Sequence, residues 1–153
     1  MYCKSKLGIF IIKMISQSEY SKIISGPTTH TVSGITPNDK NIEIRLILIE
    51  KLGTINLKSG DVIHQFLVAD QTGSIKCNYF GEHGHQLKAG DIVFMSGIYA
   101  TLYKEVTLTL YTGKRSKVYK IGEFFMPFVE EPKMSETVWE RDQSGVYVFK
   151  NMR

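Results

Sequence analysis

The chain is poor in the residues that build covalent or metal-held frameworks. It has only two cysteines, Cys3 and Cys77, in 153 residues. That excludes a disulfide-rich secreted scaffold and a four-cysteine zinc site, and it suits a reducing compartment. The histidines, His30, His64, His83 and His85, offer no third ligand at useful spacing to the loop pair at 83 and 85. No metal and no cofactor is therefore expected. Long apolar runs are also missing. Residues 7–15 come nearest, but Lys13 interrupts them, and a spanning helix needs roughly 20 such residues. Ser16, Gln17, Ser18 and Glu19 follow, without the small-residue cleavage pattern of an export signal. No membrane association is expected.

Catalytic signatures are absent too. The chain has no G-x-x-x-x-G-K-[ST] phosphate loop and no G-x-S-x-G nucleophile elbow. Asp61 and Asp91 each follow a glycine at the start of an apolar stretch. Aspartate in that position is a turn former more often than half of a catalytic pair. The chain reads as a binding protein, not an enzyme.

What is present is an alternating pattern. From residue 41 onward apolar and polar residues exchange with period two, stretch after stretch, between turn residues. The pattern predicts strands at 42–56, 62–70, 74–80, 91–103 and 106–112. A loop with one helical turn should fill 81–90. Gly53 and Gly97 lie inside the two longest strands, where a small barrel must bend. Five antiparallel strands of these lengths suit a closed all-β barrel. Residues 16–39, rich in Ser, Thr, Gly, Pro and Asn, read as an unstructured leader. Val118, Ile121, Phe125 and Phe128 have helical spacing, although Gly122 and Pro127 oppose a long helix. One face of that segment should close the barrel's end.

Strand parity then sorts the side chains, because alternate residues point to opposite faces. Ile75, Cys77 and Tyr79 share one face, and Lys76, Asn78 and Phe80 the other. Ile98, Ala100 and Leu102 oppose Tyr99, Thr101 and Tyr103. Val106, Leu108 and Leu110 oppose Thr107, Thr109 and Tyr111. Three strands thus place Phe80, Tyr99, Tyr103 and Tyr111 among Lys, Asn and Thr on the outward face. Bases of a single strand stack on such rings at about 1–3 kcal/mol each while cations follow the phosphates. Lys114, Arg115 and Lys117 lie a few residues beyond Tyr111, and residues 88–122 carry a net charge of +4, equal to that of the whole chain. The bland alternative is that these rings pack beneath the leader or the tail.

The stretches VADQTGSIKCNYF, LKAGDIV and LTLYTG, with KIGEFFM shortly after, resemble the family of OB-fold single-stranded-DNA-binding subunits of the SOSS complex. The similarity spans residues 32–132. It implies an OB-fold nucleic-acid-binding domain there, a leader at 1–31 and a tail at 133–153. It also implies base stacking at Phe80, where the family usually has tryptophan, and at Tyr99, Tyr103 and Tyr111. A large scaffold subunit is implied as partner through Glu123 and Phe124, with a nuclear location and a role in DNA damage and repair. His64 and Leu67 stand where the family has basic residues, and the leader and the tail match nothing in it. The residues themselves leave two further readings open. The aromatic face could take a peptide or another protein chain, or the strand could be RNA, which stacking does not distinguish from DNA.

Overall fold

The computed structural model describes residues 9, 10 and 16–153; Cys3 and most of the 7–15 run lie outside them. In chain order the elements are β1 (Ile9–Phe10), α1 (Gln17–Ser25), β2 (Ile42–Asn56), β3 (Val62–Asp70), β4 (Gly73–Phe80), β5 (Asp91–Tyr103), β6 (Thr107–Tyr111), β7 (Lys117–Glu123), β8 (Thr137–Arg141) and β9 (Tyr147–Met152). A short 3₁₀ turn, Glu82–Gln86, joins β4 to β5.

Five strands close a ring. β2 pairs with β3 and β5, β3 with β4, β4 with β6, and β6 with β5. Every pair in the ring is antiparallel except β4–β6, which is parallel. The expectation of five antiparallel strands is corrected at this seam. Directions can alternate all the way round a ring only if the strand count is even, so a closed ring of five must contain a parallel neighbour pair. The connectivity is that of an OB fold.

Inward residues follow the predicted parity. Ile42, Ile44, Leu46 and Leu48 of β2 meet Phe66, Val68, Ile75, Cys77, Ile98, Ala100, Leu108 and Leu110 in one buried cluster. Each large side chain there contributes about 1.5–3 kcal/mol by leaving water. β2 can serve both neighbours because its register slips twice, between Leu48 and Glu50 and between Lys51 and Gly53. Such slips bend a strand round a barrel corner.

The parallel seam has only three rungs, from Lys76–Thr109 to Asn78–Tyr111. Where it stops, the tail continues it: Ser135 Oγ accepts from the Lys76 N–H at 2.8 Å and donates to the Leu108 carbonyl at 2.6 Å. Beyond this point the tail folds back as the β8–β9 hairpin, with Trp139 packed on the core.

Four further sequence expectations need correction. Residues 16–39 are not an unstructured leader. They contain α1, whose Ile23 is buried with Phe94 and Tyr119. The Arg45 side chain caps its C-terminus by donating to the carbonyls of Lys22, Ile23 and Gly26. Val32 and Ile35 enter the main core. Residues 117–123 form strand β7, not a helical turn, paired with the first half of β5. Val118 faces the main core and Tyr119 the α1 cluster, so both faces are covered and the period-two signature is lost. Phe125 and Phe128 do not close the barrel's end, since both are exposed. Val106 sits in the β5–β6 turn, also exposed.

Candidate nucleic-acid interface

The outward face of β4, β6 and the second half of β5 carries the rings. Tyr99 lies opposite Tyr111, Thr101 opposite Thr109, and Tyr103 opposite Thr107. Across the seam, Asn78 lies opposite Tyr111 and Lys76 opposite Thr109. One row therefore reads Tyr99, Tyr111, Asn78, and continues to Gln65 of β3. Phe80 stands one step beyond Asn78 on the same face, 48% exposed. Its N–H donates to Thr112 Oγ1, which holds the end of β4 against the chain leaving β6.

The Tyr99 and Tyr111 rings stack on each other, centroids 5.5 Å apart and planes 12° from parallel. A base inserted between them would need two gaps of about 3.4 Å, or roughly 7 Å in all. The pair is thus a single platform that offers its outer faces. Tyr99 is 39% exposed. Tyr111 is more enclosed, and burial pushes its phenol up to about 12, so it stays neutral and adds no negative charge beside a phosphate. Asn78 shares the face but is only 3% exposed. It lies opposite Tyr111 across the parallel seam and packs beneath the face instead of presenting itself to solvent.

Cations surround the rings. Lys76 is exposed between the aromatic rows. Lys104 lies over the Tyr103 ring, 5.4 Å from its centroid, in a turn where Lys104 and Glu105 both have left-handed φ values, +50° and +62°. That is the backbone of a tight hairpin. Lys114 and Arg115 project from residues 112–116, a loop pinned to β5 where Ser116 Oγ donates to the Gly97 carbonyl at 2.9 Å. Gly97 is required there. Its φ is +66°, and a Cβ would lie 3.0 Å from the Arg115 carbonyl oxygen. Lys117 is exposed at the start of β7, opposite Ser96 and so off the aromatic rows.

Sequence reasoning missed Lys104 and Lys40. The first was legible as a turn cation next to Tyr103. The second reaches the face only because residues 38–39 hydrogen-bond β5 at Ala100, a long-range pairing with no local signal.

The two residues expected at a protein partner lie elsewhere. Glu123 is held by Lys120 and Lys88, and Lys120 keeps its carboxyl below the usual range. Phe124 has a left-handed φ of +60° and is 70% exposed. One side of its ring lies on Gly90, where any Cβ would collide with it. Phe125 beside it is 95% exposed, and Phe128 and Val129 extend the apolar strip.

The histidine cluster is not part of the face. His64 points inward from β3, fully buried, with its ring edge-on to His85 at 4.3 Å and neither nitrogen hydrogen-bonded. Burial, then His85, lowers its pKa to about 4. Among the described residues no group of three or more potential ligands could hold a metal.

No protein-family model matches the chain. It is 26% identical over 123 residues to the single-stranded DNA binding protein Ssb of Saccharolobus solfataricus, covering 78% of this chain and 82% of that one. Among solved structures, a hypothetical protein from Arabidopsis thaliana superposes with a TM-score of 0.59 at 18% identity, over 74% of this chain and 86% of that chain. Schizosaccharomyces pombe Pot1pC, solved bound to single-stranded DNA, gives 0.52 at 19% identity over 69% and 91%. At these identities the structural matches speak for the fold alone.

Proposed function

We propose that this protein binds single-stranded DNA with little sequence preference, by stacking bases on the Tyr99–Tyr111 platform and Phe80 while neighbouring cations follow the backbone. The observation that carries this reading is the pair of stacked tyrosines on the barrel exterior, flanked by Lys76, Lys104, Lys114 and Arg115. Stacking platforms beside positive grooves recur in sequence-tolerant single-strand binding. The similarity to the Saccharolobus solfataricus single-stranded DNA binding protein over most of both chains supports it. No base-reading side chain is needed for such binding.

The same reading extends to a role in sensing and repair of DNA damage, as the nuclear subunit of a larger assembly. Its support is the resemblance in KIGEFFM together with the exposed strip that begins at Phe124. A scaffold that docks on this strip leaves the aromatic face open for DNA.

Fluorescence polarisation of labelled oligo(dT) in rising salt tests the first proposal. Affinity should fall with a log–log slope of about −0.7 per phosphate contacted. Absence of saturable binding at low salt would overturn it. Oligo(rU) of equal length as competitor assigns the strand: weaker competition than oligo(dT) supports DNA, and stronger competition would make the ligand RNA.

A further inference from the structure

Beside the platform lies a cavity of about 410 Å³ that the stacking reading leaves unassigned. Its floor is Gly97, Ile98 and Tyr99 of β5. Lys40 and Asn41 form one wall, and Gly113, Lys114 and Arg115 the other. The first wall is held in place by the backbone. The Asn38 N–H donates to the Ala100 carbonyl at 2.8 Å, and the Ala100 N–H to the Asp39 carbonyl at 2.9 Å. Asn38 and Asn41 take left-handed φ values of +71° and +53°, a conformation asparagine tolerates. The second wall is held by Ser116, as described above. Two of the residues are glycines, so the space between the walls stays open.

The chemistry of the cavity is uneven. Its surface is mostly apolar, with the Tyr99 ring exposed to it, yet Lys40, Lys114 and Arg115 line its rim. None of these three makes an ion pair among the described residues. An apolar floor with uncompensated cations at its edge matches a planar base carrying a phosphate on either side. Tyr111 covers one face of Tyr99, while the Tyr99 ring also borders this cavity. A strand lying on the platform therefore has a continuous path into it.

We propose that this cavity takes one nucleotide of the bound strand, its base on the Tyr99 ring and its flanking phosphates on Lys40, Lys114 and Arg115. The inference rests on the single-strand reading and adds a specific step to the strand's course, with Lys40 as a phosphate ligand. It also makes Gly113 a gate. Its φ is not left-handed, and a Cβ there would first meet Tyr99 at an ordinary 3.6 Å, so a larger side chain fills the cavity without strain.

The test uses the full chain and oligo(dT) lengthened one nucleotide at a time, with Lys40→Ala, Gly113→Leu and Phe80→Ala beside the unaltered protein. Lys40→Ala should lower the salt slope by about 0.7 and cost severalfold in affinity at low salt, a loss that shrinks as salt rises. Gly113→Leu should shorten by one nucleotide the length at which affinity levels off. An unchanged slope in Lys40→Ala with an unchanged length profile in Gly113→Leu would overturn the inference, while a loss in Phe80→Ala would leave the stacking reading standing. Absence of binding by the unaltered protein would overturn both. Thymidine monophosphate titrated alone separates the sources of the ligand: saturable binding lost in Lys40→Ala, with the oligo(dT) slope unmoved, would give the cavity to a free nucleotide and contradict the strand path.

Discussion

Tyr99 and Tyr111 stand on neighbouring strands paired along a ladder, whereas Phe124, Phe125 and Phe128 stand on a segment outside the strands, which the Phe124 N–H ties to the Gly90 carbonyl and the Val129 N–H to the Asp70 carbonyl. The first group is surrounded by Lys76, Lys104, Lys114 and Arg115. The second is followed by Glu130 and Glu131 and shares its run with Met126, Pro127 and Val129. Both expose aromatic surface, but a polyanion is attracted to one and repelled by the other. The mounting differs in the same sense. Paired strands hold a ring ready for a base at little entropic cost, while an apolar strip outside the sheet suits a partner that supplies its own complementary surface. Aromatic exposure alone therefore does not define a nucleic-acid site; the backbone beneath and the charge beside it do.

Both regions ride on the barrel, so acid should remove them together. Folded His64 stays neutral down to about pH 4, whereas an unfolded histidine takes up its proton near 6.5. Stability is then complete above about pH 6.5 and falls as pH drops toward 4, by on the order of 3 kcal/mol. Denaturant melts across that range should show the loss, and His64→Leu should flatten it. A flat profile in the unaltered protein would mean that His64 reaches solvent.

The platform can be tested from within. Removing either tyrosine uncovers a face of the other, so Tyr99→Ala and Tyr111→Ala should each cost less than half of what the double variant costs. The double loss should be about 1–3 kcal/mol of oligo(dT) affinity. Strict additivity in a double-mutant cycle would mean that the rings bind separately. Gly97→Ala comes next, at about 1 kcal/mol of stability, with a matching loss of affinity as the basic loop is displaced. Smallest is Phe125→Ser, expected to move stability by less than about 0.5 kcal/mol and to leave DNA binding alone. A drop in oligo(dT) affinity there would erase the distinction between the two regions.

Legibility in the sequence followed the same division. The strands at 42–56, 62–70 and 91–103 are readable because each keeps a stretch with one dry and one wetter face, at 42–46, 62–67 and 98–103, between turn residues, although the first half of β5 is buried on both faces. The outward placement of Phe80, Tyr99, Tyr103 and Tyr111 came from that alternation alone. β7 was not readable, because Val118 and Tyr119 are buried on opposite faces. Nor was α1, whose mainly polar turns are anchored by Arg45, more than twenty positions away on average from the carbonyls it binds at 22, 23 and 26. The burial of Asn78 beneath its neighbours and the arrival of Lys40 at the face both depend on contacts between distant segments. The seam made by Ser135 is of the same kind, joining the tail to strands that precede it by 27 and 59 residues.

The most direct measurement sets Phe80→Ala against Phe125→Ala, with oligo(dT) affinity and melting temperature read on both. Phe80→Ala should weaken binding by roughly 1–3 kcal/mol at a nearly unchanged melting temperature, and Phe125→Ala should alter neither quantity. Full binding by Phe80→Ala, or a melting temperature that collapses with it, would contradict the assignment of the strand face to single-stranded DNA.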